Sequence, residues 1–206
     1  MEYKGYDYEI KQDIDPINPR TEWDNMDIMV CFHSRYNLGD KHDFSDEEEF
    51  IQWAKDQGDK IEILPLYLYD HSGITMSTGS FSCGWDSGQV GWIYTDLEQL
   101  NKMGHNWKRW SKKRRKQVRE WMISSVDTYD NLITGSVYGY EVTLDGEYID
   151  SCWGFFGYDH EESGLMEYAK NAIDCDISHK IKEHTDKVKQ WIRSGVPLEY
   201  RKSFAA

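Results

Sequence analysis

The stretch from Leu64 to Tyr94, LPLYLYDHSGITMSTGSFSCGWDSGQVGWIY, constrains the fold more than any other part of the chain. It opens and closes on apolar runs. Between them lie Gly73, Gly79, Gly84 and Gly88, set among Ser, Thr, Asp, His and Cys. Two strands joined by a polar, glycine-rich connection are expected, and such connections carry sites more often than the strands themselves. Pro65 inside the first strand demands an edge position or a bulge, because proline cannot donate to a ladder.

A second hairpin is clearer still. Asp145-Gly146 separates YGYEVTL from EYIDSCWGFF, and a two-residue Asp-Gly link favours a primed turn. Tyr6, Tyr8 and Ile10 alternate with charges and predict a further strand, and DIMVCF over 27–32 predicts a short buried one. Helices fall between. Ser45 with Glu48 forms a capping-box pattern ahead of Phe50, Ile51, Trp53 and Ala54, with Gly58 as the stop. Thr95–Met103 reads as a short helix and WKRWSKKRRKQVREWMISSV over 107–126 as a long one, with Ser111 as its cap. Glu161–Arg193 reads as helical with a break near Cys175-Asp176 or Ser178, and the tail after Pro197 as loose. Hairpins interleaved with helices predict an α+β fold: a mainly antiparallel sheet with helices packed on one face. The expected division is a core over 1–160 and a C-terminal helical extension over 161–206.

Nine Trp, fourteen Tyr and seven Phe supply the area for a core although only 39% of residues are hydrophobic. The net charge of -13 works against contact with nucleic acid backbones and favours a basic partner surface. Residues 1–63 concentrate the acidity, with 17 Asp and Glu against 7 Lys and Arg. Asp43, Asp46, Glu47, Glu48 and Glu49 are the partner-binding candidates. Cys31, Cys83, Cys152 and Cys175 show no zinc-finger or disulfide spacing, so reduced thiols are expected. No run is long enough to span a bilayer and the N-terminus lacks signal-peptide features, so a cytoplasmic location and no membrane partner are expected.

Three chemistries compete for the polar residues. Asp70, His71, Cys83 and Asp86 should converge if the two strands around them pair, and a Cys–His pair with a carboxylate is the minimum for thiol catalysis. No known nucleophile signature surrounds Cys83, so no catalytic assignment is made. His33, His42 and His71, with Asp40 and Asp70, offer ligands of the types divalent metals use, but no helical i, i+4 spacing or compact motif supports them. No cofactor is expected: the glycine-rich loop lacks the Lys-Ser/Thr of a P-loop and a following helix. Lys112, Lys113, Arg114 and Arg115, flanked by Trp107 and Trp110, are the nucleic-acid candidates, since cations neutralise phosphate and rings stack on bases.

The segments PRTEWDNMDIMVCFHSRYNLGD, ILPLYLYDHSGITMSTGSFSCGWDSGQVGWIY and YDNLITGSVYGYEVTLDGEYIDSCWGFFG resemble a largely uncharacterised family of small acidic proteins from bacteriophages and mobile elements. The resemblance spans roughly residues 8–160 and supplies no catalytic residues. It implies a counter-defence role of anti-CRISPR or antirestriction type, exerted by binding a host defence or nucleic-acid-handling protein. The alternatives are a small enzyme or ligand-binding domain using the Asp70/His71/Cys83/Asp86 loop, and a nucleic-acid-binding module using helix 108–119.

Overall fold

The structure, a computed structural model, describes residues 1–197 and residue 200. The tail expected to be loose lies almost wholly outside those residues. Two four-stranded sheets, with every described strand pair antiparallel, and the helices packed on them make the fold α+β. The chain divides into two compact units, one joining residues 1–13 to the chain from Tyr138 onward, the other spanning Ile14–Val137.

The 14–137 unit contains α1 (Pro19–Glu22), β3 (Ile28–Cys31), α2 (Glu47–Gln57), β4 (Ile61–Asp70), β5 (Ile74–Ser77), β6 (Ser87–Asp96), α3 (Leu97–Lys102) and α4 (Lys112–Ile133). The strands lie in the order β3-β6-β4-β5. β4 and β6 are the two apolar runs of the 64–94 stretch, and they pair from Ile61↔Asp96 to Tyr69↔Ser87. The connection is not a plain loop: β5 folds back onto the other edge of β4, but only from Tyr67 onward. Pro65 therefore sits where that edge of β4 is open, next to a register shift at Leu66/Tyr67. Both conditions that proline requires are met within two residues.

Period-two alternation on β6 sorts the helices. Ile93 is fully buried with Met29, Leu66 and Met76 against Val118, Met122 and Val126 of α4. Trp92 and Tyr94 face the other way and meet Phe50 and Trp53 of α2, with ring centroids 4.8–5.9 Å apart. Helices thus line both faces of this sheet. The α4 stripe Val118, Met122, Val126, Tyr129 repeats at helical spacing, and full burial of each such aliphatic side chain is worth about 1.5–3 kcal/mol.

The cap of α2 stands one residue later than the Ser45/Glu48 pattern suggests. Asp46 accepts from Glu49 N at 2.9 Å, and Glu49 Oε2 accepts from Ser45 N at 2.7 Å. The run Ser-Asp-Glu-Glu-Glu fits the reciprocal box in either register, and the register that forms has the charged acceptor at the cap.

The other unit contains β1 (Glu2–Tyr3), β2 (Tyr6–Gln12), most of β7 (Val137–Leu144), β8 (Glu147–Phe156) and α5 (Leu165–Gly195), with strand order β1-β2-β7-β8. Asp145 and Gly146 both have positive φ, 51° and 83°, as a type I′ hairpin requires. Leu165, Ala169 and Ile173 of α5 are fully buried against Tyr6, Tyr8, Tyr140 and Val142. The break expected in α5 does not occur. Ser178 donates back to Asp174 O at 2.8 Å and Asp176 pairs with Lys180 at 2.7 Å, so the polar side chains are absorbed along the helix instead of ending it. The helix starts at Leu165, not Glu161, because Asp159 first turns the chain by accepting from Glu161 N and Glu162 N.

Candidate functional site

Pairing of β4 with β6 brings the two ends of the glycine-rich connection side by side. Asp70 N donates to Asp86 O at 2.7 Å. His71 Nδ1 lies 3.2 Å from Asp86 Oδ2, and the Cys83 thiol lies 3.8 Å from the same oxygen. Ser87 Oγ donates to Cys83 O and closes the turn. Three of the four candidates therefore share one carboxylate. Asp70 does not join them: Tyr36 OH donates to its Oδ1 at 3.3 Å and Arg35 pairs with its Oδ2.

The order of these groups decides their chemistry. An activated thiol needs a base or a positive charge beside it. Here the carboxylate stands between thiol and imidazole, so losing the thiol proton would set two negative charges against each other. His71 touches the far side of the interaction and is well exposed. The arrangement is a hydrogen-bonded clasp and not a nucleophile with its base.

Beside the clasp is a cleft of about 430 Å³, lined among others by Phe32, His33, Arg35, Leu68, Trp85 and Gln89. Trp85, between Cys83 and Asp86, is 98% exposed. Nothing in the sequence separates it from the tryptophans that pack inside, and its exposure follows only from the turn that the clasp closes.

The three metal candidates are not brought together. His33 Nδ1 accepts from Arg35 N and Tyr36 N, both at 3.2 Å. The ring of His42 stands at 3.1 Å from Cys31 O through Nε2 and packs on Phe32 and Phe44. His71 belongs to the clasp, and Asp40 accepts from Arg20 and Met29 N. Among the described residues no group of three or more His, Cys, Asp or Glu could hold a metal ion.

The basic helix is partly spent within the fold. Arg115 and Arg119 both grip Glu62, whose side chain is 2% exposed on β4. Arg115 also donates to Ile61 O and Asp59 O and lies over the Trp110 ring. Arg114 donates to Arg109 O and lies over Trp107, which itself stacks on Trp121. Trp107 and Trp110 pack against the core, so the rings that base stacking would use are already engaged. Lys112 and Lys113 remain exposed. The acidic end of α2 differs. Asp43, Asp46, Glu47, Glu48 and Glu49 are all exposed, and among the described ion pairs none involves them.

Within the 14–137 unit lies a buried network that sequence reasoning missed. Arg20 bonds Asp27 at 2.8 Å, Asp27 O at 2.9 Å, Ser125 at 3.1 Å and both oxygens of Asp40, with Arg20 and Asp27 side chains each 1% exposed. Burial pushes the Asp27 carboxyl up, and the Arg20 charge opposes that shift.

No family model matches the chain, and neither a curated protein nor a solved structure matches it.

Proposed function

We propose that the protein works by binding, as a counter-defence protein of anti-CRISPR or antirestriction type acting in the host cytoplasm. It inhibits a nucleic-acid-handling host protein whose basic groove receives the acidic end of α2. The observation that carries this reading is the contrast within one unit: Arg115 and Arg119 of α4 are committed to Glu62, while the five exposed carboxylates at Asp43 and Asp46–Glu49 enter no described ion pair. Uncompensated surface charge of one sign speeds encounter with, and selects, a partner of the other sign. The sequence resemblance to mobile-element proteins supplies the counter-defence context.

The test uses Glu47→Lys/Glu48→Lys, which spares the capping pair Asp46 and Glu49. Cells carrying an active restriction or CRISPR system are challenged with a targeted phage, and cleavage by the purified effector is assayed alongside. Wild type should restore plating and slow cleavage, and the variant should do neither. Absence of protection across a panel of defence systems, or equal protection by the variant, overturns the reading.

A second reading, a ligand site in the cleft beside Trp85, draws on the convergence of His71 and Cys83 on Asp86. Binding there tolerates Cys83→Ser. Loss of the cellular phenotype on that substitution alone, with the fold intact, would restore thiol chemistry.

A further inference from the structure

The last apolar residue of α5 that packs on its sheet is Ile177, and one turn on Lys180 still reaches Tyr6, donating to its hydroxyl at 3.2 Å. The helix continues to Gly195, about 27 Å beyond Ile177 at the usual rise per residue. Every residue from Ser178 to Trp191 is exposed, including Ile181 at 62%, Val188 at 40% and Trp191 at 62%. Ile177, Ile181, His184, Val188 and Trp191 follow one another at spacings of 4, 3, 4 and 3. With Ile192 they occupy about 100° of arc on a helix of 3.6 residues per turn.

The charges are sorted around that stripe. Lys180 and Lys187 border one edge, and Lys189 and then Lys182 lie beyond the other. Glu183 and Asp186 fall on the opposite side. Residues 178–195 carry five Lys and Arg against two Asp and Glu, in a chain whose net charge is -13. A second copy of the helix is a poor occupant. In the heptad that places Ile181 and Val188 at a, Lys180 and Lys187 fall at g, which meets another g lysine in an antiparallel pair and uncharged Thr185 or Ile192 at e in a parallel one, so neither arrangement gains an interhelical ion pair there. Lys180 is held by Asp176 at 2.7 Å, whereas Lys187 and Lys189 meet Glu183 and Asp186 only at 3.8 and 3.9 Å, exposed pairs that cost little to exchange for phosphate. An apolar stripe with a net excess of cations along its borders matches a flat anionic surface: the stripe enters the acyl boundary while the lysine stems reach up to phosphates.

We propose that residues 178–195 form an interfacial helix that docks the protein on anionic phospholipid bilayers. An interfacial helix needs no run of spanning length, and the expectation of no membrane partner rested on the lack of such a run. The acidity of the remaining chain does not forbid docking, since exposed charges beyond about 8–10 Å are screened at physiological salt. The inference is independent of the acidic end of α2, which the other unit carries.

Full-length protein is co-sedimented with vesicles of phosphatidylcholine alone and of phosphatidylcholine with phosphatidylglycerol, at low and moderate salt. Quenching by brominated lipid is compared between wild type and Trp191→Phe. Wild type should partition at least about tenfold more strongly onto the anionic vesicles, with weaker binding at higher salt. Ile181→Glu/Val188→Glu, changed only at exposed positions, should lose that binding with its circular dichroism otherwise retained. Lack of binding, equal binding to neutral vesicles, or binding unchanged in the double variant overturns the proposal. So does a concentration-dependent oligomer that the double variant abolishes, which would show that a second copy covers the stripe.

Discussion

Replacing Arg20 by Met tests the buried network beneath α1, β3 and α4. The substitution keeps most of the side-chain volume and removes the charge. Arg20 and Asp27 side chains are 1% exposed and Asp40 is 18% exposed, so water cannot readily take over the lost contacts. Asp27 keeps only Ser125 as a side-chain hydrogen-bond donor, at 3.2 Å, and Asp40 keeps the Met29 N–H, at 2.7 Å. Breaking a buried pair by deleting one partner costs about 3–5 kcal/mol, chiefly because a carboxylate is left uncompensated. Against a usual net stability of roughly 5–15 kcal/mol, that is a large share. Urea unfolding followed by tryptophan fluorescence at neutral pH measures it.

The same variant has a pH signature. Burial raises the Asp27 carboxyl above its ordinary 3.8 and Arg20 opposes the rise, so removing Arg20 lets it climb further. The folded variant then holds a proton to higher pH than its unfolded chain does. The stability from that proton is complete below the unfolded value and is lost as pH rises through the folded one. The gap between variant and wild type should therefore narrow from about pH 7 toward about pH 5, and adding Asp27→Asn should recover part of the loss at neutral pH. A loss below about 1 kcal/mol, or a gap that does not change with pH, would refute the reasoning.

Burial, with a smaller push from Asp40, raises the Cys31 thiol from 9.0 to about 12, leaving roughly a thousandfold less thiolate at mildly alkaline pH. Iodoacetamide on native protein should label exposed Cys175 and spare Cys31 until urea is added; equal labelling by mass spectrometry would contradict this. By the same linkage, stability from Cys31 is complete below about 9 and declines as pH rises through about 12, a trend the alkaline limb of an unfolding series should show. Gly91→Ala places a methyl group 2.0 Å from Val30 O and 2.9 Å from Cys31 Cα, forcing β3 and β6 apart, and should cost about 3 kcal/mol or more. Gly79→Ala, with only Ser77 Oγ near at 3.8 Å, should cost under about 1 kcal/mol, and denaturation midpoints that fail to separate the two would sink the close-approach argument.

What the chain revealed in advance was what is local. Asp145-Gly146 needs two positive φ values and nothing remote, so β7 and β8 could be read directly. The helical period of Val118, Met122 and Val126 is equally self-contained. Pairing between distant segments was hidden. Tyr6, Tyr8 and Ile10 announce a strand but not its partner, which is β7, with Ile10 opposite Tyr140. Following the chain in order suggests one core to residue 160, where the structure has two units, one of them assembled by that long-range pairing of residues 7–12 with 138–143. The basic helix misled for a related reason. Arg115 and Arg119 look like phosphate ligands until Glu62, more than 50 residues earlier, is seen buried beneath them. The one local hint was a carboxylate inside the apolar run IEILPL, a polar group that a buried strand must match with a partner.

The four candidates at the glycine-rich connection show how far residue types reach without geometry. Asp, His, Cys and Asp at one end of a hairpin suit a thiol enzyme and a hydrogen-bonded turn equally well. The position of Asp86 between thiol and imidazole separates them, and no spacing rule encodes it. Once the thiol is a donor to Asp86, the group becomes a set of pins: Asp70 N on Asp86 O, Cys83 on Asp86 Oδ2, Ser87 on Cys83 O. Trp85 is held out from between those pins, almost wholly exposed. An aromatic side chain on a pre-ordered turn loses little further freedom when a partner covers it, which is the condition under which a single tryptophan dominates a contact. On a binding reading the use of so many polar groups on one short turn has a physical purpose that a catalytic reading leaves unexplained: it fixes the direction in which Trp85 projects.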